Sequence, residues 1–98
     1  MANKLVRDKI VDIISAQGQT VKQHIADDAE YWQSLKDKLE EELSEFLEAE
    51  TLDEYIDLLE VLEAVAEFKQ FSASDIRNAK NTKAEKRGKF KKRIIAEF

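Results

Sequence analysis

From Leu39 to Phe68 the chain carries no lysine and no arginine, while glutamate and aspartate recur every few residues. Proline is absent throughout, and the glycines are Gly18 and Gly88 alone. A stretch without breakers and rich in Leu, Ala and Glu has the helix as its favoured backbone. The segment "KLEEELSEFLEAETLDEYIDLLE", Lys38 to Glu60, is therefore read as helical. Its acids are either a solvated face or a place where something other than protein supplies positive charge.

Hydrophobic periodicity divides the chain. "KLVRDKIVDIIS" sets Leu5, Ile10, Ile13 and Ile14 near one face of a first helix, with Gly18 as its stop. Residues 19–26 fit either a short strand or an irregular connector. Asp27 or Asp28 caps a second, long helix that runs to about Ala49, with an apolar stripe of Leu35, Leu39, Leu43, Phe46 and Leu47. "TLDE" at Thr51 reads as a capping box that opens a third helix. That helix is apolar around most of its circumference, which predicts burial by several neighbours. Ser72 or Ser74 caps a fourth helix ending near Gly88. "KFKKRIIAEF" follows as a tail whose Phe90, Ile94, Ile95 and Phe98 are suited to docking on the body or on a partner.

The expected fold is all-α: a single domain over residues 1–98, built as a four- to five-helix bundle with a central antiparallel helix hairpin. A chain this short buries little surface alone, so dimerisation is expected to complete the bundle. Without cysteine there is no disulfide, thiol nucleophile or thiolate zinc site. No apolar run has membrane-spanning length and no signal-peptide pattern opens the chain, so a cytoplasmic location without membrane partners is expected. The net charge of -5 argues against a nucleic-acid polymer as partner. Yet Lys80 to Arg93 carries eight basic residues against one acid, which leaves phosphate binding open.

The hairpin makes the acids specific. A link centred near Glu50 sets Glu42 and Glu45 on one helix against Glu54 and Asp57 on the next. Within each pair the three-residue spacing is roughly 4.5 Å along the axis and about 60° around it. Glu42 falls at the edge of the apolar stripe, and Glu54 falls between Val61 and Val65. Carboxylates gathered in a low-dielectric place repel, and without a counter-charge one or more would protonate. Mg²⁺, or Mn²⁺ in its place, is the natural partner of such oxygens and retains waters for a phosphate substrate. Glu40, Glu48, Asp53 and Glu63 read as plain surface acids, and Glu60 and Glu67 as a solvent-facing extension.

"EELSE" at Glu41 to Glu45 followed by "EYID" at Glu54 to Asp57 resembles the EExxE…ExxD signature of the all-α nucleoside triphosphate pyrophosphohydrolases. That superfamily includes the MazG proteins, the phosphoribosyl-ATP pyrophosphohydrolases and the dimeric dUTPases. "KLVRDKI" at Lys4 to Ile10 and "KAEKRGKF" at Lys83 to Phe90 resemble the opening and closing segments of short MazG-like members. The resemblance implies Mg²⁺ ligation by Glu42, Glu45, Glu54 and Asp57, with Glu41 as a supporting acid in the catalytic set of Glu41, Glu42 and Glu45. It implies hydrolysis between the α- and β-phosphates of a nucleoside triphosphate, to a monophosphate and pyrophosphate. Lys4, Arg7 and Lys9 at the front, and Lys83, Lys86 and Arg87 at the back, become the phosphate-binding candidates, with Asp8 as a substrate-orienting one. A homodimer or a dimer of dimers and a housecleaning role against noncanonical nucleotides are further implications. Val11, Ile56 and Lys89 depart from residues often found at their positions; none is a proposed ligand.

Two other readings stay open beside the enzyme. One is a non-catalytic helical interaction module with an acidic face. The other is a nucleotide-binding regulator that keeps the metal site but turns over poorly. Tyr31 and Trp32 are expected as core or interface aromatics. His24, the one histidine, has no partner for a zinc site or a catalytic triad.

Overall fold

The structure is a computed structural model that describes residues 3–98. It is all-α: helices α1 (Ile10–Ala16), α2 (Asp28–Ala49), α3 (Leu52–Phe68) and α4 (Ala73–Arg87), with no strand among the described residues. Residues 19–26 are an irregular connector rather than a strand.

Each of the longer helices starts where a side chain can accept an orphan backbone N–H. Asp27 accepts from the Glu30 N–H at 2.9 Å, Thr51 from Glu54 at 3.2 Å and Ser72 from Asp75 at 3.1 Å. The ends are equally local. Gly18, at φ 87°, terminates α1 with Gly18 N–H donating to Ser15 and Gln19 N–H to Ile14, the paired bonds of a Schellman ending. Gln70, at φ 62°, does the same after α3, with Gln70 N–H donating to Glu67 and Phe71 N–H to Ala66.

The first helix is shorter than its apolar spacing suggests. Residues 3–7 are irregular, so Leu5 shares no helix with Ile10, Ile13 and Ile14. Lys9, at the N-cap of α1, makes no side-chain capping bond, because an ammonium has no lone pair to offer. A helix of seven residues is marginal by itself, and the segment before it pairs with the helices through Lys4 to Glu41 and Arg7 to Asp57.

α2 and α3 are joined by Glu50 and Thr51 and pack along each other. Near the link, Phe46 and Tyr55 meet edge to face with ring centroids 5.9 Å apart. At the far end, Trp32 stacks on Phe68 at 5.8 Å, and Tyr31 meets the same ring edge-on at 5.3 Å. Residue pairs whose numbers rise on one helix as they fall on the other define an antiparallel pair. Lys69 Nζ lies 4.0 Å from the Trp32 ring centre, a cation–π contact, so the indole is engaged within the chain.

The core between them is thin. Leu35 and Val61 are its buried apolar side chains, and Glu42 is buried beside them. Ile56, Leu59 and Leu62 on α3, and Leu43 and Leu47 on α2, remain exposed in the single chain. The full burial expected of α3 is thus not achieved by this chain's own helices. The radius of gyration, 17.6 Å, exceeds the about 13 Å usual for this length. α4 reaches out from the pair without close backbone approach to α2, and the tail after Gly88 is irregular and exposed rather than docked on the body.

Candidate metal centre

α2 presents Glu41, Glu42 and Glu45, and α3 presents Glu54 and Asp57 one turn from its start. Carboxylate oxygens of Glu42, Glu54 and Asp57 lie within 4.8 Å of one another, as do those of Glu41, Glu42 and Glu45. Glu42 belongs to both groups, so the helix pair gathers five acids around one buried carboxylate. Glu41, Glu54 and Asp57 are half-buried, while Glu45 sits at the solvent edge. Glu40, Glu48, Asp53, Glu60, Glu63 and Glu67 are all exposed.

The arrangement is electrostatically incomplete. Glu42 Oε2 and Glu54 Oε2 are buried without a hydrogen-bond partner among the described residues. An unsatisfied buried carboxylate oxygen costs its full desolvation penalty. The Glu45 carboxyl is raised above 4.5, first by the Glu42 charge, then by desolvation and by the charges of Glu54 and Glu41. Like charges this close favour a retained proton on one of them.

Three cations already approach the rim. Lys38 Nζ lies 3.3 Å from Glu42 Oε1 and 3.7 Å from Glu41 Oε1. Arg7 Nη2 donates to Asp57 Oδ1 at 2.8 Å, and Lys4 Nζ lies 3.5 Å from Glu41 Oε1. None of them contacts the two orphaned oxygens. The donor set is all carboxylate, it is clustered, and it leaves buried lone pairs unused. Such residues fit a hard divalent cation that takes carboxylate oxygens and keeps waters.

Of the sequence candidates, Glu41, Glu42, Glu45, Glu54 and Asp57 come together, with Lys4 and Arg7 at their edge. Asp8 and Lys9 are exposed in the turn before α1 and form no ion pair among the described residues. Lys83, Lys86 and Arg87 stand exposed on the last turns of α4, away from the acids of the same chain. Lys38 is the participant that sequence reading passed over. Its signal was the i, i+3 and i, i+4 spacing to Glu41 and Glu42, which places opposite charges on one helix face.

No family model matches the chain, and no solved structure matches it. A protein of Mycolicibacterium smegmatis (strain ATCC 700084 / mc(2)155), described only as uncharacterized, is 44% identical over 50 residues. That stretch is 51% of this chain and 51% of that protein, so the chain spans about half the relative's length.

Proposed function

We propose that the chain is an Mg²⁺-dependent nucleoside triphosphate pyrophosphohydrolase, which cleaves between the α- and β-phosphates to give a nucleoside monophosphate and pyrophosphate. The observation that carries this reading is the meeting of Glu42, Glu54 and Asp57, with Glu45 grouped beside them through Glu42 and the buried oxygens of Glu42 and Glu54 left unpartnered. The order of EELSE, EYID and the flanking KLVRDKI and KAEKRGKF segments, which resembles that of the all-α pyrophosphohydrolases, supports it.

In this reading Glu42, Glu45, Glu54 and Asp57 hold the ion, and Mn²⁺ substitutes for Mg²⁺. An ion held there would supply charge neutralisation for phosphate oxygens and a more acidic water as nucleophile. Glu41, half-buried next to Glu42, orients water or ligand by accepting a hydrogen bond. Arg7 exchanges Asp57 for a phosphate oxygen, which its fork of N–H donors matches, and Lys4 adds a point charge at the same edge. Lys83, Lys86 and Arg87 complete phosphate binding, and the exposed apolar faces of α2 and α3 make a homodimer or a dimer of dimers the working form. No helix among the described residues is long and apolar enough to cross a membrane. The substrate proposed is a free nucleotide, within a housecleaning role.

A second reading is favoured by the cations at the rim. Lys38, Arg7 and Lys4 already pair with Glu42, Asp57 and Glu41, as they would on an acidic face that works without metal, as an interaction module. One experiment separates the readings: pyrophosphate release from a panel of canonical and modified nucleoside triphosphates, with Mg²⁺ or with EDTA. The wild type is compared with Glu45→Gln and with the surface control Glu48→Gln. Metal-dependent pyrophosphate and monophosphate, lost in Glu45→Gln and kept in Glu48→Gln, is the expected result. Metal-dependent nucleotide binding without product would make the chain a regulator. Neither binding nor product, with both variants alike, would leave the acidic interaction module.

A further inference from the structure

α3 and α4 diverge from the loop at residues 69–72 and enclose an open cleft of about 680 Å³, whose lining includes none of the clustered acids. Leu59, Leu62, Ala66, Phe71 and Ile76 form its apolar lining. Phe71 is 57% exposed and Leu62 46%, so the chain itself does not cover this surface. Glu63 and Glu67 stand on the α3 wall, with Arg77 and Lys80 on the α4 wall. The tail after Gly88 is a second uncovered surface. Phe90, Ile94, Ile95 and Phe98 are each at least 73% exposed. The basic run Lys91–Arg93 precedes Ile94 and Ile95, and Glu97 follows them.

We propose that residues 89–98 of a second copy of this chain fill the cleft, and that two copies exchange these segments reciprocally. Ile94 and Ile95 lie on the apolar lining. Lys91, Lys92 and Arg93 face Glu63 and Glu67, and Glu97 faces Arg77 and Lys80. The charge sequence along the tail, basic and then acidic, matches walls that are acidic on one side and basic on the other. The cleft has the volume of a site that takes a few side chains.

A second copy is the occupant proposed because the cleft and the tail are uncovered at the same time in one chain. A two-fold exchange covers both surfaces on both chains with one kind of contact. Arg93, at φ 56° and with its N–H donating to the Phe90 carbonyl at 3.2 Å, closes a turn that contains the basic run and leads into the isoleucines.

The chain has no cysteine, which makes cross-linking clean. Leu62→Cys in one copy and Ile95→Cys in a copy of different mass are mixed and oxidised. The expected product is the cleft-to-tail heterodimer, in at least tenfold excess over either homodimer. Sedimentation of Ile95→Asp should show self-association weakened by about tenfold or more, as loss of one buried isoleucine implies. Because Ile95 lies outside the helices, far-UV circular dichroism stays unchanged. Lys91→Glu with Lys92→Glu weakens association too, and adding Glu63→Lys with Glu67→Lys restores it. A disulfide formed only within a doubly substituted single chain, or association indifferent to Ile95→Asp and to the charge reversals, overturns the proposal.

Discussion

Arg7 and Asp57, fifty residues apart, are joined at 2.8 Å, which ties an irregular N-terminal segment to the acid cluster between α2 and α3. Both side chains keep partial contact with solvent, 53% and 37%. The pair is therefore screened, and its structural worth is small. Arg7→Ala should cost about 0.5 kcal/mol in urea unfolding. Its effect on turnover should be much larger if Arg7 serves phosphate. Equal and minor losses in both would reduce the arginine to a tether.

Glu42 belongs to both oxygen groups, so it should dominate metal binding. With Mg²⁺ at a hundred times its dissociation constant, linkage adds about 2.7 kcal/mol to stability. Thermal melts with Mg²⁺ or EDTA should show that increment in the wild type and most of it missing in Glu42→Gln. Turnover in the variant should fall on the order of a hundredfold or more. An Mg²⁺ increment preserved in the variant would exclude Glu42 as a ligand.

The raised carboxyl of Glu45 has a sign that can be read in metal-free protein. The folded state holds this proton more tightly than the unfolded state, whose ordinary value is 4.5. Its contribution to stability is full below that value and is lost as pH rises through the higher folded value. Carbon-13 titration of the side-chain carboxyls should put Glu45 above the ordinary glutamate value of 4.5. Mg²⁺ should bring it down, because ion and proton compete for the same oxygens. A Glu45 that titrates at the ordinary 4.5 would mean the repulsion is relieved elsewhere.

Glu50 occupies the C-cap of α2 at φ 56°, ψ 35°, a left-handed conformation that favours glycine. Glu50→Gly should stabilise the protein by about 1 kcal/mol in urea unfolding, offset in part by the added freedom of the unfolded chain. Activity should stay unchanged, since the side chain is exposed and outside the cluster. Destabilisation would show that the Glu50 side chain supports the link.

Leu35, 1% exposed, is the most deeply buried side chain of the helix pair. Leu35→Ala should cost about 2–5 kcal/mol, read from denaturant midpoints at fixed protein concentration. A cost below about 1 kcal/mol would mean that α2 and α3 readjust to close the cavity.

The long helices were legible because their signals are local. Asp27, Thr51 and Ser72 cap where a short acceptor side chain meets free N–H groups, and Gly18 ends α1 where only a left-handed residue fits. The acid convergence was legible for a similar reason: a two-residue link forces antiparallel neighbours, and i, i+3 spacing does the rest. The N-terminal segment was not legible. Its apolar spacing favoured a longer first helix, but residues 3–7 are irregular, and Lys4 and Arg7 reach Glu41 and Asp57, partners that leave no trace in local periodicity.

Sequence by itself determined the all-α class, the caps and stops of the helices, and the set of acids that face each other, since each follows from backbone preference and from spacing within a turn or two. Tertiary structure alone decided that Glu42 is buried and shared, that its Oε2 and that of Glu54 lack partners, and that Arg7 meets Asp57. Burial and pairing depend on what a distant segment brings to the same place, and no periodicity within one helix encodes that distance.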